Sequence, residues 1–216
     1  MRPSLSCVLP LSGALLLWPQ PTGAQVRVEL GPVVGVFAPT SNVSATAPGS
    51  VLPLPGDAAK HRTGFAYGAA ATLWPTQHFG LGLLAMRSSS ELEFSSIGSD
   101  TAITAAVSFG AALALWRLPY GPRTNDIRFG IGLGVLKHEG AAYRPYGEPT
   151  STAATASFGT LLALDPHLGV DLGLTAFLYR LQLSSGGTSA PQSRFQTDLL
   201  GRVAVAYRIG HPAKGR

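Results

Sequence analysis

Charge is scarce in this chain: Asp, Glu, Lys and Arg make up 12% of its 216 residues, about half the share of an ordinary soluble domain. Such a composition supplies too little polar surface to cover a water-facing globule. Disorder is excluded as well, because 45% of the residues are hydrophobic and a chain this apolar buries surface or faces lipid. Cysteine occurs once, at Cys7, which rules out a disulfide framework and a thiolate metal site. Long apolar runs are missing too. After Ala24 no stretch reaches the roughly 18 apolar residues of a transmembrane helix. The net charge of +5 is small and spread along the chain, which excludes a concentrated nucleic-acid footprint.

The first 24 residues follow a separate pattern. Met1-Arg2 is a short basic start, Val8 to Trp18 an apolar centre, and Thr22-Gly23-Ala24 a small-residue end. This is the pattern of a secretory signal peptide cut after Ala24, and its apolar centre is too short for a membrane anchor, which needs about 20 residues. Cleavage removes Cys7 with it. The expected organisation is a signal peptide over 1–24, one barrel domain over 25–210 and a periplasmic tail over 211–216.

The apolar residues of the remainder arrive in alternation, the period of a strand with unlike faces. Ile127 to Val135 is the plainest case: Ile127, Phe129, Ile131, Leu133 and Val135 oppose Arg128, Gly130, Gly132 and Gly134. The same period recurs over Val26–Phe37, Gly64–Trp74, Phe79–Ala85, Ile103–Leu115, Ala154–Leu164, Leu168–Leu178 and Phe195–Ile209, giving eight strands. Within them Arg27, Glu29, Arg128, Asp171, Asp198, Arg202 and Arg208 all share the parity of the small and polar residues. The charge-free apolar parity is therefore expected to face lipid on every strand, Val107, Phe109, Leu113 and Leu115 included. Short joins at 75–78, 119–125 and 165–167 alternate with longer polar ones, as in an up-and-down barrel. The third and fourth strands read on through Arg87 to Asp100, which predicts a hairpin standing above the membrane.

In this pattern, from Val26 to Ile209, the chain resembles the small outer-membrane β-barrel family, the OmpA- and OmpX-like, porin-like eight-stranded proteins. The final strand carries the likeness best, with Val203, Val205, Tyr207 and Ile209 alternating to its end. The chain departs from the family in running on through Gly210 to Arg216. The resemblance implies an all-β, antiparallel, transmembrane barrel in the bacterial outer membrane, a monomer handled by the barrel-assembly machinery and surrounded by outer-membrane lipid. A soluble, lipocalin-like barrel is the rival fold. It would turn the apolar parity inward and leave an outer wall mostly of Gly, Ala, Ser and Thr, with too few charges for water.

The seven inward charges are the candidate site. An eight-stranded barrel is just wide enough for side chains, so these groups are expected to pair and plug the lumen. A narrow ion path is the alternative use of the same residues. Trp74, Trp116, Tyr120 and Tyr207 mark the short-turn end, where rings favour the headgroup region; the parity of Trp74 and Trp116 also allows an inward position. Tyr143, Arg144 and Tyr146, in the loop AAYRPYGEP, are the candidates for contact with an extracellular ligand or protein. His61 and His138 fall near outer loops, His78 and His167 on inner turns and His211 in the tail, so no metal site is expected. The alternate glycines 130, 132 and 134 lack the spacing of a dinucleotide loop and read as space on an inner face. No cofactor, no nucleic acid and no enzymatic activity are expected. A structural, adhesive or ligand-contact role is the leading expectation, with a narrow pore or transporter for small molecules, apolar ones included, as the alternative.

Overall fold

The computed structural model describes residues 26–43, 58–96, 99–121, 125–183 and 192–210. The expected signal peptide and tail lie outside them. Strands β1 (Arg27–Pro39), β3 (Gly64–Trp74), β4 (Phe79–Ser96), β5 (Ser99–Tyr120), β6 (Asn125–Glu139), β7 (Thr150–Ala163), β8 (Leu168–Leu183) and β9 (Gln192–Ile209) each pair antiparallel with their neighbours in sequence, and β1 also pairs with β9. That last pairing closes the sheet into a ring. A short ninth strand, β2 (Ala58–His61), adds to the outer end of β4 opposite Leu92 to Ser95. No described helix is long and apolar enough to cross a membrane.

Alternation explains the wall. On β6 the outward residues Ile131 and Leu133 are 60% and 74% exposed, while Arg128, Gly130 and Gly134 on the opposite parity are buried. Exposure of this size across eight strands is unaffordable in water, since each apolar side chain left out forfeits about 1.5–3 kcal/mol. Lipid removes the penalty. The hairpin β4–β5 pairs continuously from Phe79↔Trp116 to Ser96↔Ser99, so it extends well past the wall as the sequence predicts.

One strand faces the other way from expectation. On β5 the apolar parity, Val107, Phe109, Leu113 and Leu115, is buried inside, and Gly110, Ala112 and Ala114 face out. The reason lies across the lumen, where Phe109 stacks on Phe37 at 5.1 Å and meets Phe177 edge-on at 5.4 Å. The outer half of the lumen is filled with apolar side chains, so its lining does not have to be small or polar. Trp116 follows the same inversion and stands outward, 43% exposed, against the edge of Phe79. Trp74 is fully buried inside.

The β1–β9 seam has a local irregularity. Pairing runs from Val28↔Ile209 to Leu30↔Tyr207, lapses at Gly31 and Pro32, and resumes in the same register at Val33↔Ala204. Proline has no N–H to give to a ladder. Gly31 lies so close to Val205 that a Cβ would overlap its carbonyl oxygen.

Candidate functional site

The inner half of the lumen is a charged cluster centred on Arg128. Its guanidinium bonds Asp126 on its own strand and reaches Glu29 on β1 at 2.8 Å and Asp171 on β8 at 3.1 Å. Glu29 also pairs with Arg27 at 2.9 Å, and Asp171 with Arg202 at 2.9 Å. Arg208 stands 4.0 Å from Glu29. Arg117 on β5 lies 3.8 Å from Asp126 and over the Trp74 ring at 4.5 Å, with Arg128 over the same ring at 5.2 Å. Buried charges persist only when paired, and here each carboxylate serves two or more guanidinium groups from different strands.

Glycine makes room for these large side chains. A Cβ at Gly173 would crowd the Arg202 guanidinium, one at Gly169 would meet Arg208, and one at Gly80 would overlap the Trp74 ring. Alternate glycines on β6 do the same beside Ser157, Thr155 and Phe177. A cavity of about 40 Å³ remains between Glu29, Thr72, Arg128, Ser157, Asp171 and Arg202, room for water but little else.

Above the cluster come Val33, Phe37, Leu84, Phe109, Leu136, Phe177 and Leu200, all buried. At the outer mouth the loop after β6 folds back over this plug. Tyr143 is fully buried, its ring 5.0 Å from His138 and 6.1 Å from His61. Tyr179 donates its hydroxyl to Asp198 at 2.6 Å and lies 3.3 Å from His138 Nε2. Burial holds the His61 imidazole below the usual histidine range. Burial, with the Asp198 carboxylate adding to it, pushes the Tyr143 phenol far above the usual tyrosine value.

Of the seven charges singled out from sequence, six gather in the inner cluster. Asp198 stands apart at the mouth with Tyr179. Arg117, Asp126 and Trp74 complete the cluster and were not among those seven. Asp126 shares the parity of Arg128 and sits one residue before the strand start read from the pattern. Among the outer-loop candidates Arg144 is exposed and Tyr146 half-buried, but Tyr143 is turned inward as the anchor of its loop. His61 and His138, both read near outer loops, meet at Tyr143. His78 and His167 lie on inner turns, and His211 is outside the described residues.

Ser90 Oγ lies 2.9 Å from His61 Nδ1, but that nitrogen also faces the Arg62 carbonyl oxygen at 3.1 Å. No described carboxylate hydrogen-bonds His61, so the pair lacks the orienting acid of a hydrolytic triad. Among the described residues no group of three His, Cys, Asp or Glu gathers to hold a metal ion.

No protein-family model matches the chain, and no curated protein matches it in sequence. Solved structures do match. The outer membrane protein OprG from Pseudomonas aeruginosa is similar with a TM-score of 0.64 at 11% identity, over 86% of this chain and 96% of that one. Neisserial surface protein A is similar at 0.51 and 11% identity, covering 84% of this chain and 96% of its own. AlkL, solved in lipid bilayers, is similar at 0.50 and 12% identity, covering 89% and 93%. With the closed eight-stranded wall and its apolar exterior, the chain has the fold of the small outer-membrane β-barrel proteins.

Proposed function

We propose that this barrel acts from its outside: its wall sits in the bacterial outer membrane, and its loops meet an extracellular ligand or protein. One observation carries the reading. The lumen is filled along its length, by the Arg128 cluster, then the phenylalanine plug, then the Tyr143 cap. A barrel of eight strands has an interior only wide enough for side chains, and here those places are taken. Tyr143 anchors the outer loop, a short 3-10 turn (Arg144–Tyr146) follows it, and Gly147 closes the turn at φ 72°. Arg144 is thereby offered to solvent on a fixed support. Catalysis and a bound cofactor have no part in this reading, and the unit is a monomer.

Planar bilayers test it. The reconstituted chain is expected to give no steady conductance, and Arg202→Gln to leave the trace equally quiet. A steady conductance that changes with Arg202→Gln would replace this reading with a narrow pore.

A second reading rests on the seam. The lapse at Gly31 and Pro32 borders the small cavity, whose lining includes Leu30, Gly31, Val205 and Ala206. Passage of small apolar molecules through the wall would use that lapse. Vesicle uptake of a small apolar solute that Pro32→Val abolishes would favour it.

A further inference from the structure

The cap over the mouth is built as a unit of its own. Residues 140–148 bond mainly to one another: Tyr143 and Arg144 donate their N–H groups to the Gly140 carbonyl, Tyr146 and Glu148 donate to that of Tyr143, and Gly147 to that of Arg144. Among the described residues a single backbone hydrogen bond, from the Ala142 N–H to the Thr104 carbonyl of β5 at 3.2 Å, ties this unit to another strand. A glycine stands near each end of it, Gly140 at φ 101° and Gly147 at φ 72°, where the chain turns without the clash a side chain brings. The Tyr143 ring fills the mouth, and Ala142 is buried with it.

The polar groups against that ring suit one charge state. Nε2 of His61, Nδ1 of His138 and the Tyr143 hydroxyl are all buried with no hydrogen-bond partner among the described residues. At its other nitrogen His61 has Ser90 of β4 and the Arg62 carbonyl, and its ring meets Phe37 of β1 edge-on at 6.4 Å. His138 has Tyr179 of β8 at its other nitrogen. The charged groups nearby are engaged elsewhere: Arg62 with Glu91 and Glu93, Lys137 with Glu139, and Asp198 of β9 with the Tyr179 hydroxyl. The loop's own Arg144 is exposed and its Glu148 half-buried. No described carboxylate therefore hydrogen-bonds either imidazole. A charged imidazole donates from both ring nitrogens, but in the closed mouth one nitrogen of each ring faces no acceptor, and a second imidazole stands on the same tyrosine.

We propose that this loop is an acid-released latch: uptake of protons by His61 and His138 expels the Tyr143 ring and swings residues 140–148 out of the mouth, and loss of those protons lets the cap return. The direction follows from linkage. Burial holds the His61 imidazole below the usual histidine range while the cap is closed, and water reaches both imidazoles once it is open, so the open form binds more protons. The closed form is therefore complete above the ordinary histidine value of about 6.5 and is lost as the pH falls below it, the closed-to-open ratio dropping by up to about tenfold per pH unit for each imidazole. Asp198 is the one carboxylate at the mouth among the described residues, and any proton it takes up is one against two. Phe109, Phe177 and the Arg128 cluster lie deeper and include no histidine, so release uncovers the mouth and leaves the lumen filled. The latch works whatever ligand or protein Arg144 meets.

The test is amide hydrogen exchange of the full chain refolded in lipid vesicles, read by mass spectrometry on the peptide that carries residues 140–148 and corrected for the intrinsic effect of pH on exchange. Protection of these amides is expected to fall by about tenfold or more between about pH 7 and about pH 5, while the amides of β6 and β7 keep theirs. The His61→Phe, His138→Phe double variant keeps a ring at each place without a proton site, and its loop is expected to stay protected at both pH values. Tyr143→Ala is expected to leave the loop unprotected at neutral pH already. Folding of each variant is checked by its gel shift on boiling, and the pH profile of the unaltered chain stands as a test even where a variant does not fold. Equal loop protection at the two pH values in the unaltered chain overturns the proposal. So does a loss of protection that survives the double substitution in a folded barrel. A loss shared equally by the wall strands would also overturn it, by making the change an acid unfolding of the whole barrel. The readout contains no ligand, so its failure leaves the contact role of the loops untouched.

Discussion

A methyl group added at Gly31 would overlap the Val205 carbonyl oxygen, whereas one added at Gly201, also on the β1–β9 seam, meets nothing within 4 Å. Gly31→Ala is therefore expected to destabilise the folded barrel by about 1–3 kcal/mol, the usual cost of forced backbone shifts. Gly201→Ala is expected to stay within about 0.5 kcal/mol of the parent. Urea midpoints of the heat-modifiable band measure both, and equal midpoints would contradict the close approach at Gly31. At this scale the sequence showed the charged members of the lumen through their shared parity. It did not show the anchor Tyr143, because a loop's folding into the mouth has no periodicity. It also lost Asp126, which lies just outside the strand limits that the alternation marks out.

Strand β5 is where alternation alone misleads. Its two parities differ in size, but the larger side chains turn inward to Phe37 and Phe177. The sequence held a signal for this: Arg117 continues the parity of Leu113 and Leu115, so that parity is not free of charge as the lipid-facing parity of the other strands is. Arg117 instead lies inside, over Trp74. Because Cys7 is the only cysteine, single cysteines introduced into a chain made without residues 1–24 report facing without background. Ala112→Cys is expected to be modified by a maleimide carried on lipid, and Leu113→Cys to be protected in the folded barrel. The reverse pattern would put β5 back in the orientation its residue sizes suggest. β4 and β6 needed no such correction, because on them the inward parity is rich in glycine and the outward parity in Leu, Ile, Val and Phe.

For the whole molecule, the ring of eight strands and its long hairpin were legible because period two, short turns and charge parity agreed. The division of the lumen into a charged inner half, an apolar middle and an aromatic cap was not, since it depends on which side chains meet across the barrel. Glu29 and Arg128 are 99 residues apart in the chain and 2.8 Å apart in space. All of this rests on one claim, that the apolar parity of most strands faces lipid around a filled interior. Refolding residues 25–216 with and without lipid vesicles tests that claim most directly, read by circular dichroism and by gel mobility before and after boiling. The account predicts a β-rich spectrum and a boiling-dependent shift only when vesicles or detergent are present. A stable β-rich fold in plain buffer would contradict it, because a wall exposing Leu133 and Ile131 at 74% and 60% does not stay monomeric in water.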